Sequence, residues 1–255
     1  MHPRRDNLKS SRIRGTRRYV LKLQVFLCAT LLCGLSRIAP CQDVAPAPSL
    51  PAASSPAVDN AADDHRMFKV LPNFKTVNDP DQQVDPLSVG EKFALVQHYF
   101  DPFTFVFTSI TAGIEQDTNE KAGYGQGAMG YAKRYGADFT DGLTNEIFVT
   151  GVFPALLHED PRYYRLGRGS ALKRTGYALS RILIARGDSG NNRINASEFL
   201  GNIASGALSM TYYPQNERNV GGVFTRMGVE IGYDSLFNVL KEFYPDLKRK
   251  LSHNH

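Results

Sequence analysis

Apolar side chains recur every three or four residues along most of the chain beyond residue 88. The first such run places Phe93, Val96 and Phe100 on one face of a helix. Alternation with a period of two, which a half-buried strand requires, is largely absent. The spacing therefore predicts an all-α fold, a compact bundle of about five to seven helices.

Side chains that favour helix ends support this prediction. Two predicted helices begin with a capping box, formed by Ser88 with Glu91 and by Asn195 with Glu198. In a capping box, each of the two side chains accepts a hydrogen bond from the free backbone amide of the other residue. A proline at position 154 predicts a break in the third helix. The last helix is predicted from about Val220 to Phe243, because Pro245 follows it.

Glycines are frequent between residues 123 and 157. In an exposed helix, each glycine would lower the stability of the helix by about 1 kcal/mol. The positions are Gly123, Gly127, Gly130, Gly136, Gly142 and Gly151. Close helix–helix contact offsets such a loss, and Gly228 and Gly232 show a four-residue spacing that serves the same purpose. We therefore expect Gly-rich close helix packing, with a bilayer-inserted form as an alternative. Against that alternative, no segment after residue 41 reaches about 18 uninterrupted apolar residues.

Residues 1–41 have the layout of a cleaved targeting peptide. Thr16-Arg17-Arg18-Tyr19-Val20-Leu21-Lys22 stands between a basic stretch and an apolar run too short to span a membrane. These seven residues resemble a twin-arginine export signal, centred on Arg17 and Arg18, with Val20 where that signal usually has Phe. The general secretory route is the alternative. Cleavage is predicted after Cys41, and lipidation of Cys41 is a further alternative.

Removal of this leader changes the charge and the chemistry of the chain. It takes away nine basic residues and one acid, so the remaining chain has 21 Lys and Arg against 24 Asp and Glu, or net −3. The basic isoelectric point thus gives no argument for a nucleic-acid partner, and none is predicted. All three cysteines, Cys28, Cys33 and Cys41, leave with it, which excludes disulfides, thiol nucleophiles and iron–sulfur clusters. No cofactor is predicted.

The rest of the chain divides into a linker and one domain. Residues 42–66 consist largely of Ala, Pro, Ser and Asp, which bury too little apolar surface to offset the entropy of ordering. They are predicted to be a flexible linker. Residues 67–252 have the size of one domain and show no second break in composition, so a single helical domain is predicted there.

The densest chemistry lies at His158-Glu159-Asp160, followed by Pro161-Arg162-Tyr163-Tyr164-Arg165. An imidazole beside two carboxylates is a candidate catalytic group, and the arginines and tyrosines are candidates for binding an anion. Consecutive residues point in different directions, however, and His98 is the other histidine inside the predicted domain. The competing interpretation is a helix end followed by a turn with local ion pairs.

The segment 162–193 is strongly basic, with eight Lys and Arg against one acid. Its candidate binding residues are Arg162, Tyr163, Tyr164, Arg165, Arg168, Lys173, Arg174 and Arg181. They are predicted either to meet anionic lipid or envelope polysaccharide, or to face the acidic region 42–101 within the same molecule. The loop 188–198 resembles the second half of an EF-hand but lacks its first half, so no metal site is predicted.

Several blocks in residues 67–251 resemble an uncharacterised family of exported bacterial proteins. They are Leu71-Pro72-Asn73-Phe74, Gly151-Val152-Phe153-Pro154 with the 158–165 block, Asp188-Ser189-Gly190, Tyr212-Tyr213-Pro214 and the segment 236–243. The resemblance implies a single exported domain and assigns no catalytic residue. It names no activity.

These observations lead to three functional hypotheses. The first is a non-enzymatic cell-envelope protein, a helical domain that binds or packs in the periplasm or at a membrane surface. The second is a hydrolase-like or metal-assisted enzyme that uses His158, Glu159 and Asp160. The third is association with anionic lipid through residues 162–193, with protein partners unknown.

Overall fold

The computed structural model describes residues 66–68, 70–78 and 84–252, all of which belong to one compact unit. The predicted signal peptide, with its Arg17 and Arg18, lies outside the described residues. So does the predicted linker, apart from Arg66.

Helices make up most of the described chain, which confirms the all-α prediction. Their bounds are α1 Val89–Val96, α2 Pro102–Asp117, α3 Gly127–Glu146, α4 Phe153–Leu157, α5 Ala171–Ser180, α6 Ala196–Ser209 and α7 Val220–Ser252. Short 3-10 helices cover Gln97–Phe100, Ala122–Tyr124 and Gln215–Glu217. In this part of the chain there are thus six helices if the five-residue α4 is counted as the end of α3.

The first capping box forms in full, and the second forms only in half. The Ser88 hydroxyl accepts from the Glu91 amide, and the Glu91 carboxylate accepts from the Ser88 amide at 2.8 Å. At α6, the Asn195 side chain accepts from the Glu198 amide at 3.2 Å. The Glu198 side chain instead accepts from Asn202, one turn further along the helix, at 3.0 Å. It is therefore turned towards the interior of the bundle.

Short strands connect the helices. They are β1 Arg66–Met67, β2 Leu71–Pro72, β3 Thr76–Val77, β4 Glu159–Asp160, β5 Tyr163–Tyr164, β6 Ile184–Gly187 and β7 Asn192–Ile194. β1 pairs antiparallel with β2, and β3 runs parallel to β5. β6 is the central strand of an antiparallel sheet with β4 and β7. In the segment 188–198 that resembles half an EF-hand, residues 188–191 are thus the turn of a β-hairpin, and the rest forms β7 and the start of α6.

Two predicted helix boundaries were wrong. A π-helical segment, Ile147–Val152, joins α3 to α4, and the chain remains helical past Pro154 because that proline lies in the first turn of α4. The last helix continues through Pro245 to Ser252. Near that proline, Arg165 and Arg174 both donate to the carbonyl oxygen of Glu242.

Glycine allows close packing at some of the predicted positions. A Cβ atom on Gly151 would lie 3.0 Å from the Phe93 ring, and Gly142 lies directly against Tyr99. Gly201 meets Val149 in the same way, although the sequence pattern did not single it out. At Gly127, Gly136, Gly228 and Gly232 a Cβ would meet nothing within 4 Å, so the close-packing prediction was wrong for these four.

Several charged side chains of the bundle are buried, and several large apolar side chains are exposed. The largest fully buried side chains include Arg134, Lys92 and Glu242, while Val106 and Ile110 on α2 are 59% and 57% exposed. Over residues 66–68, 70–78 and 84–252, no helix has both the length and the hydropathy of a transmembrane span. Charged groups inside the bundle and apolar groups outside it are therefore the two features that any function must explain.

Candidate functional site

The three predicted catalytic side chains face three different partners. His158 ends α4 in a left-handed backbone conformation, its side chain is 80% exposed, and its Nδ1 lies 3.8 Å from an oxygen of Asp188. The Glu159 carboxylate accepts from the amides of Ala196 and Ser197 and so caps the start of α6. The second predicted histidine, His98, stacks on Phe74 with ring centroids 4.0 Å apart.

Asp160 is held by two residues of its own block. Arg162 donates to both of its carboxylate oxygens, and the Tyr164 hydroxyl donates to Oδ2 at 2.6 Å. Burial opposes ionisation of Asp160, but these hydrogen bonds outweigh burial and lower its pKa. The carboxylate is therefore stabilised as an ion-pair partner inside the fold.

Most of the remaining block fixes the last helix. Glu242 is fully buried on α7 and accepts from the Tyr163 hydroxyl and from Arg174 Nε, each at 2.8 Å. Arg174 also pairs with Asp246. Arg165 donates to the Glu242 carbonyl oxygen. These predicted binding residues thus join β5, the segment after it and α5 to α7.

The basic segment is largely engaged within the molecule. Arg181 donates to Asn192 Oδ1 at 3.0 Å, and Arg193 donates to the Leu157 carbonyl oxygen at 2.9 Å. Arg168 and Lys173 are exposed. Within the described part of the chain, the carboxylates that accept from the arginines of this segment belong to Asp160, Glu242 and Asp246. Most acidic residues of 42–101 lie outside the described residues, so the expected match with that region stays a prediction.

A polar cavity of about 130 Å³ lies inside the bundle, next to this block. Its wall comes from residues around β3, from α3 and the π segment, from β4 and β5, from the segment 181–185, and from α6 and α7. Its polar lining residues include Lys75, Asn145, Glu146, Thr150, Glu159, Asp160, Arg162, Tyr163, Arg181, Ser197, Glu198, Asp234 and Lys241. Charged residues from six separate regions of the sequence thus line one cavity.

Two pairs of ionisable groups in this wall are hydrogen-bonded to each other, one as an ion pair and one as an acid with a carboxylate. Lys75 Nζ lies 2.8 and 2.9 Å from the two oxygens of Glu146 and 3.1 Å from the Thr150 hydroxyl. Burial and the neighbouring Asp234 raise the pKa of Glu198 to about 9, so Glu198 is protonated at neutral pH and hydrogen-bonds the Asp234 carboxylate. The two acids therefore share one proton and carry one negative charge.

Other polar groups in the wall have no such partner. Among the described residues, no hydrogen bond or ion pair joins the Lys241 ammonium to a neighbour; the Tyr163 ring centroid lies 6.0 Å away. Burial and the nearby Lys75 lower the pKa of Lys241 to about 8. Ser197 is 3% exposed, and its hydroxyl is unpartnered, as is Oδ1 of Asn145. Orphaned groups of this kind are uncommon in folded proteins.

Sequence reasoning missed this cavity, although α7 carries a signal for it. Glu230, Asp234, Asn238 and Lys241 are spaced by four, four and three residues, which puts them on one face of a helix. A polar stripe of this kind on a helix packed on two sides predicts a polar interior. No group of three or more His, Cys, Asp or Glu in the described part of the chain could hold a metal ion.

The second unusual feature is an apolar groove on the outside, between α2 and α3. It has a volume of about 470 Å³ and is lined by Phe105, Val106, Ser109, Ile110, Tyr131 and Tyr135. Phe100 and Phe139 extend it, with Phe139 stacked 5.3 Å from Phe105. We call these eight residues the α2–α3 aromatic surface.

Comparison with protein-family models, with curated proteins and with solved structures finds no match to this chain. The geometry of the cavity and of the α2–α3 aromatic surface is therefore the basis for assigning a function.

Proposed function

We propose that this chain is an exported, non-enzymatic cell-envelope protein whose helical domain binds a membrane surface through the α2–α3 aromatic surface. The observation that carries the proposal is the apolar groove on the outside of a bundle whose charges lie inside. Contiguous exposed apolar patches of this kind mark interaction sites.

The chemistry of the groove favours hydrocarbon over a protein partner. Two of its three hydroxyl groups pair with each other, since the Ser109 and Tyr131 hydroxyls are 2.6 Å apart and Tyr131 also donates to the Ser109 carbonyl oxygen. No charged residue occurs between Pro102 and Ile114. A lipid chain offers no hydrogen bonds, and the Ser109 and Tyr131 hydroxyls need none from it. Tyrosines at the edge of an apolar patch suit the membrane–water interface.

The expected strength of binding follows from exposure. The exposed fractions are 54% for Phe100, 41% for Phe105, 59% for Val106 and 57% for Ile110. Burying the exposed part of each side chain in a membrane contributes about 1 kcal/mol to the free energy of binding. A total of about 4 kcal/mol corresponds to a partition constant on the order of 10³ M⁻¹. Binding should thus be reversible and half complete near 1 mM lipid. One acyl chain gives attachment only somewhat stronger than this.

The basic segment 162–193 is a weaker candidate for the same role. Arg162, Arg165 and Arg174 are held by internal hydrogen bonds and ion pairs, which they would have to give up to meet a headgroup. Attraction between a basic segment and anionic lipid also falls with added salt. Binding through the α2–α3 aromatic surface should be the same at low and high salt, and the same with neutral and anionic vesicles.

The chain contains no tryptophan, so a single introduced Trp reports on one site. Phe105→Trp places the reporter in the groove, and Leu172→Trp places it on α5, at a position that is 84% exposed. With phosphatidylcholine vesicles, we expect a blue shift and quenching by brominated lipid for Phe105→Trp alone. Tryptophan emission depends on the surroundings of that one side chain, so lipid binding by residues 1–41 does not itself shift the emission.

If the Phe105→Trp emission is unchanged by vesicles, or if it changes only with anionic vesicles at low salt, the proposed surface is wrong. The export part has a separate test. Replacing Arg17 and Arg18 by Lys should leave the chain unprocessed inside the cell, and normal processing would rule out twin-arginine export.

A further inference from the structure

Beyond membrane binding, we propose that the buried cavity is a binding site for a small monocarboxylate, held by Lys241 and Ser197. Two unpartnered donors lie in the wall of this cavity. Lys241 on α7 has no hydrogen bond or ion pair to any described residue, and the Ser197 hydroxyl at the start of α6 is buried without a partner. A buried hydroxyl without a partner costs free energy, and an ammonium that the protein removes from water favours a partner that carries negative charge.

The pairing of charges in the wall identifies the kind of group that Lys241 favours. Lys75 is paired with Glu146, and Arg162 is paired with Asp160, while the Glu159 carboxylate accepts from the amides at the start of α6. Among the described residues, no carboxylate lies within ion-pair distance of the Lys241 ammonium. An ammonium without an opposite charge in contact favours a ligand group that carries negative charge.

The volume and the neighbouring acids limit the anion further. A cavity of about 150 Å³ holds a benzene molecule, so about 130 Å³ holds roughly four to six non-hydrogen atoms. A doubly charged anion of that size would introduce uncompensated negative charge beside Asp234, which repels it. A planar carboxylate can accept from Lys241 and Ser197 through its two oxygens.

A third group in the wall points to the rest of the ligand. Asn145 Oδ1 is a buried acceptor without a donor, and it lines the same cavity. A ligand with a hydroxyl group would supply that donor. Among carboxylates of equal size, a hydroxy acid should therefore bind more tightly than its deoxy analogue.

The test is calorimetric titration of the full chain at pH 7 with lactate, propionate and inorganic phosphate as probes. We expect saturable binding of lactate, weaker binding of propionate, and the weakest binding of phosphate. Lys241→Met should reduce lactate affinity at least tenfold, whereas the matched control Lys173→Met, at an exposed lysine of α5, should leave it unchanged.

Ser197→Ala covers the case in which Lys241→Met does not fold, because it removes only the hydroxyl; a severalfold loss of lactate affinity is expected. Absence of carboxylate binding by the unmodified chain would overturn the inference, and so would equal affinity in the Ser197→Ala chain. Tighter binding of phosphate than of lactate would overturn the choice of a monocarboxylate.

Discussion

Glu198→Gln should make this protein more stable at neutral pH, even though it changes a buried side chain in a hydrogen-bonded pair. Gln has the shape of a protonated Glu. It can donate to the Asp234 carboxylate and can still accept from Asn202, as Glu198 does at 3.0 Å. The substitution therefore keeps the contacts and removes the ionisation.

The magnitude follows from the pKa of Glu198, which burial and Asp234 raise from 4.5 to about 9. Below pH 4.5 the group is protonated in both the folded and the unfolded chain, so it does not affect the balance. Between pH 4.5 and about 9 the unfolded chain releases this proton and the folded chain keeps it. Stability then falls by about 1.4 kcal/mol per pH unit, or about 3 kcal/mol by pH 7. The Gln variant avoids this loss.

Urea unfolding at pH 4.5, 6 and 7 measures the effect. The free energies of unfolding of the two proteins should agree at pH 4.5 and separate by up to about 3 kcal/mol at pH 7. Glu217→Gln, in the 3-10 helix outside the cavity, is the matched control and should behave as the unmodified chain at every pH. A Glu198→Gln protein that is less stable at pH 7 would show that Glu198 is ionised in the fold, and the reasoning would fail.

Three further predictions can be checked with the same unfolding assay at pH 7. Gly201→Ala should cost about 1–3 kcal/mol, because its Cβ would lie 2.5 Å from a Val149 methyl and 3.0 Å from the Val149 backbone nitrogen. Gly228→Ala should add about 0.5–1 kcal/mol, since nothing lies within 4 Å and alanine is the better helix former; a loss there would show a contact that the fold does not have. Glu242→Leu should cost about 3 kcal/mol or more, because Arg174 and Tyr163 lose their common buried partner.

Local sequence signals predicted the helix starts well. Ser88 with Glu91, and Asp101 before Pro102, act within one turn of chain, and the hydrogen bonds they make are the ones expected. Asn195 also caps its helix as predicted. Glu198 does not complete the box, because its side chain gains more from Asn202 and Asp234 in the interior than from the Asn195 amide.

The candidate sites depended on contacts that sequence spacing does not encode. The 158–165 block is dense in charged residues, and several of its side chains make hydrogen bonds that hold the start of α6 and the second half of α7 in place. Lys75, Glu198 and Lys241 are far apart in the sequence and meet because three separate elements converge on one cavity. The α2–α3 aromatic surface could not be predicted either, because a hydrophobic pattern does not say which face of a helix is covered.

The π segment Ile147–Val152 makes the length of the chain critical at that point. A π turn holds one residue more than an α turn, so removing a single residue there would restore regular winding and rotate everything after it by about 100°. Upstream, Glu146 would still meet Lys75. Downstream, the Pro154 carbonyl would leave Lys92, and Glu159 would leave the start of α6. Among relatives of this chain, insertions and deletions should therefore collect in the loops and spare these six residues.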